Sequence, residues 1–239
     1  MPQPSKQPKP AADPDSAPAI PDAVGVVQVK MLLLGISSVV WRRLLVPDTC
    51  TLRELHGVIQ VAMRWEGIHL YQFCLRSRRY GSWEVSASSP NVTLAALKLR
   101  RGARFTYEYD LNIPWRHEVR IEENRLGAEP GKALPRCIAG DGACPPEDCG
   151  GPRGYLAGLD DASSWDALED LHTMADILRE VVLENRPEVL DDQDKRWQLE
   201  NALERANARE RAQGCPFVQR SVNARLRKSE HLVFMHQQL

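Results

Sequence analysis

Apolar and polar positions alternate with a period of two in the first part of the chain and 3.6 in the second, the change falling across residues 135–155. VGVVQVKMLLLG (24–35) is β-branched and apolar and predicts a strand ended by Gly35. SSVVWRRLLVP (37–47) predicts its neighbour, closed by Pro47, with Trp41 facing the core. IHLYQFCLRSRRYG (68–81) sets Tyr71, Phe73 and Leu75 against Leu70, Gln72 and Cys74, which predicts a strand running into a basic turn. SWEVS (82–86) reads as a short returning strand, and TLAALKL (93–99) as one or two helical turns. RFTYEYDL (104–111) and WRHEVRIEE (115–123) predict a hairpin across Asn112–Pro114, with Trp115, His117 and Val119 on one face. One helix interrupts these strands, from Thr51 to Trp65. Thr51 and Glu54 form a T-x-x-E capping box, and Leu52, Leu55, Val58, Ile59, Ala62 and Met63 make one stripe.

Beyond the change of period, SSWDALEDLHTMADILREVVLENR (163–186) predicts a helix opened by a Ser163/Asp166 box and broken by Pro187. Trp165, Leu168, Leu171, Ala175, Leu178 and Val182 form its apolar stripe. Residues 193–212 predict a second helix through Trp197, Leu199, Ala202, Leu203 and Ala206, and residues 217–228 a third through Val218, Val222 and Leu226. The expected fold is therefore α+β: a mainly antiparallel sheet with the 51–65 helix on one face, followed by a helical C-terminal part docked on it. The expected boundaries are 24–160 for the α+β domain and 161–239 for the helical extension.

Composition adds a tail and a polarity. Residues 1–23 are rich in Pro, Ala, Asp and Lys with almost no large apolar side chain, which predicts a disordered segment. With 43% hydrophobic and 26% charged residues the remainder can bury a core. The net charge of −1 hides a segregation. Residues 24–127 carry 15 Lys+Arg against 9 Asp+Glu, net +6, whereas residues 128–215 carry 10 against 19, net −9. Such a split serves either internal complementarity or a polyanion-binding surface on the basic half. Six cysteines are too few for a disulfide scaffold, and no apolar run suits a secretory leader or a membrane span, so the expectation is a soluble cytoplasmic protein with reduced thiols.

Several stretches together resemble one known family. VWRRLLVP (40–47), TLRELHGVIQVAMRW (51–65), HLYQF (69–73), RFTYEYDLNIPWRHEV (104–119), PRCIAGDGACPPEDCGGPRGY (135–155) and SVNARLRK (221–228) are similar, in order and spacing, to the plasmid pRiA4b ORF-3-like family. The resemblance implies an α+β domain in a bacterial protein associated with plasmids and transposons, and implies no particular reaction. The 163–212 helices look like an elaboration of a subgroup.

The residues themselves offer three chemistries. Cys137, Cys144 and Cys149 are spaced C-x6-C-x4-C, and zinc at this loop would take a fourth ligand from elsewhere, His117 first and His69 next. The alternative is a Pro/Gly-rich loop whose thiols pack as small apolar groups. Glu147 and Asp148 follow a Pro-Pro pair, where they serve either metal or acid–base chemistry or the capping of a turn. His117-Glu118-Val119-Arg120 matches the H-x-x-R of tyrosine recombinases, but on a strand His117 and Arg120 face opposite sides, which defeats the match. Arg76, Arg78, Arg79 and Arg101, beside aromatic residues, form the candidate nucleic-acid surface. Three functions follow: a non-enzymatic binding or accessory module, with DNA or another protein as partner; a DNA-binding, resolvase-like protein; and a zinc-dependent enzyme.

Overall fold

The computed structural model of the chain describes residues 25–127, 131–162 and 164–235. Seven strands form one antiparallel sheet: β1 (Val26–Leu33), β2 (Trp41–Pro47), β3 (Tyr71–Leu75), β4 (Arg78–Gly81), β5 (Arg104–Tyr109), β6 (Trp115–Leu126) and β7 (Arg136–Asp141). Their order is β4-β3-β5-β6-β1-β2-β7. The α+β expectation holds. The tail expected over residues 1–23 lies outside the described residues, as does Ser163.

Helix α1 (Leu52–Met63) covers one face of the sheet. Its capping box forms as expected: Glu54 N–H donates to Thr51 Oγ1 at 3.1 Å, and Thr51 N–H donates to Glu54 Oε2 at 2.7 Å. Leu52, Leu55, Val58, Ile59 and Met63 join Met31, Phe73, Tyr107, Trp115 and Val119 in one core cluster. Period-two alternation puts every second strand residue into that cluster, so Trp115, His117, Val119 and Ile121 are all buried while Arg116 and Arg120 are exposed.

Four local expectations change. The 68–81 stretch is a hairpin rather than one strand, turning at Arg76 and Ser77, whose φ values of 47° and 67° suit a two-residue primed turn. Residues 83–85 form a 3₁₀ turn instead of a strand. Trp41 is only half-buried, and it is Arg42 that points inward, because the strand's alternation places Val40, Arg42 and Leu44 on the core side. An additional helix, α2 (Gly151–Ala162), begins inside the cysteine stretch. Pro152 is tolerated in its first turn, where backbone N–H groups have no intrahelical acceptor.

The remaining helices are α3 (Trp165–Leu178), α4 (Gln193–Ala212), α5 (Gln219–Arg227) and α6 (Glu230–Phe234). Ser164, one residue later than the expected Ser163, caps α3 by accepting from Ala167 N–H. Helix α5 closes the β7 edge through two side chains, Asn223 and Gln219, the latter donating from Nε2 to Cys137 O at 3.1 Å. Asn223 Oδ1 accepts from Cys137 N–H at 2.7 Å and Asn223 Nδ2 donates to Cys137 O at 2.8 Å, as a neighbouring strand would. Helix α6 then packs on α1, with the His231 carbonyl against Gly57. Among the described residues no helix is long and apolar enough to cross a membrane.

Candidate functional site

The loop after β7 is fastened to the sheet by the end of α1 and by two aromatic strands. Arg64, left-handed at φ 60°, ends α1 and brings Trp65 inward, 2% exposed. Trp65 Nε1 donates to Pro145 O at 2.9 Å, and Trp115 Nε1 donates to Glu147 O at 3.0 Å. The Glu147 carboxylate accepts from the Tyr109 hydroxyl and, at 2.6 Å, from Glu66 N–H. Asp148 pairs with His69 Nε2 at 2.6 Å. The two acids therefore tie the loop down, and Glu147 bonds to an aromatic hydroxyl and a distant backbone amide. Burial, reinforced by the Glu147 hydrogen bond, raises the Tyr109 phenol pKa and keeps it a donor.

Beneath this loop lies a buried polar cluster. His56 stacks on Tyr71 at 3.8 Å between ring centres, and its Nδ1 is 2.7 Å from the Tyr107 hydroxyl. Gln60 Nε2 donates to the same hydroxyl at 2.8 Å, so one phenol bridges two side chains of α1. His117 lies edge-on to Trp65 at 5.5 Å and near Tyr107 at 5.4 Å, without a full hydrogen bond at either ring nitrogen among the described residues. Burial pushes the pKa of both histidines down to about 3, so both are neutral at pH 7.

Arg42 is the functional-looking residue that sequence reasoning missed. Its guanidinium, 1% exposed, donates to the carbonyls of Ala62 (3.1 Å), Trp41 (2.8 Å), Asp141 (2.7 Å) and Gly142 (3.2 Å) and lies 4.3 Å from the centre of the Phe217 ring. Ala62 is in the last turn of α1, where the helix dipole favours a cation. A buried cation satisfied by four carbonyls is a structural clamp, joining α1, β2 and the turn after β7.

The cysteines occupy different places. Cys137 sits on β7, its backbone held by Asn223. Cys144 exchanges two 2.8 Å backbone hydrogen bonds with Cys215, a pairing that no spacing rule would show. Cys149 precedes α2 and is half-buried. Burial raises all three thiols, Cys137 to about 11, which keeps them protonated at neutral pH. His117 is on β6, three strand positions from β7, and the register sets Cys137 level with Leu44, Val29 and Ile121, four residues along β6 from His117. Cys137, Cys144, Cys149 and His117 are not brought together, and among the described residues no three His, Cys, Asp or Glu side chains are placed to share a metal.

Arg76, Arg78 and Arg79 stand exposed on the β3–β4 hairpin. Arg101, in the turn before β5, is exposed and paired with Glu123 at 3.1 Å. The register adds a second basic feature: Arg43, Lys30, Arg120 and Arg104 lie directly opposite one another across β2, β1, β6 and β5. Glu122 and Glu118 neutralise the two ends of that row, at 2.6 and 3.1 Å.

Residues 25–193 match the family described as plasmid pRiA4b ORF-3-like protein. The chain belongs to that family. The match includes the sheet, α1, the cysteine stretch and α3, whereas the Asn223 stretch lies beyond it. Within and around the plasmid ORF-3-like family, the chain is 38% identical over 136 residues to the uncharacterized protein y4hQ of Sinorhizobium fredii, covering 54% of this chain and 69% of that one. It also resembles the crystal structure of a protein of unknown function from Methanosarcina mazei Go1, with TM-score 0.56 and 30% identity over 59% of this chain and 83% of the other.

Proposed function

We propose that this plasmid ORF-3-like chain is a non-catalytic binding module of accessory type, and that its working surface is the outward face of α3. One observation carries the proposal. An amphipathic helix normally turns its apolar stripe to the core; α3 buries Ile177 beside Asp170, yet it leaves its longer leucine stripe outside. Trp165 is 81% exposed and Leu171 59%, and Leu168 and Leu178 are exposed with them, while Asp170 on the opposite side is 4% exposed. The rotation is held by charge. Asp170 accepts from Arg205 Nε at 3.0 Å and from Arg209 Nη1 at 2.5 Å, both from α4. A contiguous apolar strip presented to water at that cost in solvation marks a protein-binding surface. The association of the family name with a plasmid reading frame suits an accessory protein of mobile DNA.

The test is the size of the native assembly. In lysate of the source organism the full chain should elute above its 26.9 kDa monomer, and Leu171→Glu with Leu178→Glu should return it to the monomer position. Elution of the unaltered chain as a monomer would contradict the proposal.

A second reading, DNA binding, is favoured by Arg76, Arg78 and Arg79, which are exposed on one hairpin and make no carboxylate pair among the described residues. Clustered cations of this kind bind phosphates by counterion release. Removal of the three should lower the slope of log K against log salt by roughly 2–3. Salt-independent or undetectable binding at low ionic strength would end this reading.

A further inference from the structure

The exposed stripe on α3 has a repeat as well as a composition. Leu168, Leu171, Ala175 and Leu178 follow one another at spacings of three, four and three, the a/d pattern that two helices need to form a knobs-into-holes seam. A stripe meant for a broad sheet or a core would be wider, with apolar residues at further heptad positions. Here one flank carries His172 and Arg179, both exposed, while the apolar residues of the other flank, Ala167, Met174 and Val181, are half-buried, which leaves the a/d row as the exposed apolar line.

The flank is electrically quiet. His172 Nε2 lies 3.1 Å from Asp176, and Arg179 Nη2 lies 2.7 Å from the same carboxylate. With these charges paired inside each helix, two identical helices can approach without an uncompensated like charge at the rim. The segment continues from α3 into a single π turn, Arg179–Leu183, which leaves Val182 and Leu183 exposed at the end of the strip.

The area also fits. With large side chains at roughly 150–250 Å² each, the exposed parts of Trp165, Leu168, Leu171, Leu178, Val182 and Leu183 sum to on the order of 700 Å². A standard stable interface buries about 800 Å² per partner.

We infer that the partner of this face is a second copy of the same chain, docked through a two-fold seam of α3 on α3. The inference rests on the reading of α3 as a docking face. An isologous contact asks only that one surface be complementary to itself, which an a/d seam with internally paired flanks satisfies.

Sedimentation velocity of the purified full chain tests it. The expected result is a dimer at micromolar concentration that Leu171→Glu with Leu178→Glu weakens at least tenfold. Because both side chains are exposed, the variant should keep its circular dichroism and melting temperature. Leu171→Met with Leu178→Met should leave the dimer intact, so a fold defect and a seam defect are separable. Purified protein that stays monomeric to about 100 μM, or a dimer indifferent to the glutamates, would overturn the two-fold seam. A purified monomer that nevertheless elutes in a larger assembly from lysate would overturn the second copy and keep the docking face. A monomer in both settings would overturn both.

Discussion

His56 Nδ1 on α1 lies 2.7 Å from the Tyr107 hydroxyl on β5, a contact that ties the covering helix to the centre of the sheet through a neutral imidazole. Its consequence is a pH dependence. Burial holds His56 and His117 at about 3 in the folded chain, below the ordinary 6.5 of an unfolded histidine. The unfolded state therefore binds more protons between those values. The stabilisation is complete above about pH 6.5 and is lost as pH falls towards 3. Two such groups give a slope of about 2–3 kcal/mol per pH unit near pH 5. Urea unfolding at pH 7, 6 and 5 should show it, and His117→Leu should halve the slope. A flat profile would contradict the buried neutral histidines.

Glu147 is the fastening of the cysteine loop. Glu147→Ala should cost about 1–2 kcal/mol, because it removes the carboxylate to which the part-buried Tyr109 hydroxyl donates. Tyr109→Phe should cost less, and the double variant less than the sum of the two. Strict additivity in chemical denaturation would show that the two groups do not interact.

Asp170 sets the rotation of α3. Asp170→Ala should loosen the α3–α4 pair, since it removes the carboxylate that Arg205 and Arg209 share. Hydrogen bonds from Arg205 and Arg209 lower the Asp170 pKa to about 2. A folded value below the unfolded one contributes stability above about pH 4, lost as pH falls through 2. Faster amide exchange confined to α3 and α4 in the variant is the expected readout; unchanged exchange there would contradict the pairing.

Gly57 is the contact that admits α6. A Cβ at this position would lie 2.0 Å from the His231 carbonyl oxygen, a backbone atom that cannot swing aside. Gly57→Ala should therefore undock α6 although alanine suits a helix better than glycine. Limited proteolysis near residue 230 should accelerate. A more stable, equally resistant protein would show that α6 does not dock there.

The strands and α1 were legible because one face of each is buried, so that alternation or a 3.6 stripe is written into the sequence. The hairpin of Arg104–Tyr109 and Trp115–Leu126 appeared where expected for that reason. Arg42 was not legible: a buried cation looks like a surface residue until the four carbonyls around it are placed. The contacts of the Pro145–Glu147 loop were also hidden, since Trp65 follows α1 while Tyr109 and Trp115 come from the β5–β6 hairpin, both far from the loop in sequence. In α3 the stripe is legible and its direction is not. Helical spacing identifies which apolar residues share a face, and the burial of Asp170 with its two arginines and of Ile177 decides which way that face turns.

The most direct test of the docking face is site-specific photo-cross-linking in cells of the source organism. A photoreactive residue at position 168 or 178 should give covalent adducts to a protein partner, twice the chain mass if the partner is a second copy. The same residue at exposed Glu204 on α4 serves as the comparison and should give little or none. Adducts from 168 and 178 above that background are the predicted result. No adduct from either position, or equal yields from all three, would contradict the account.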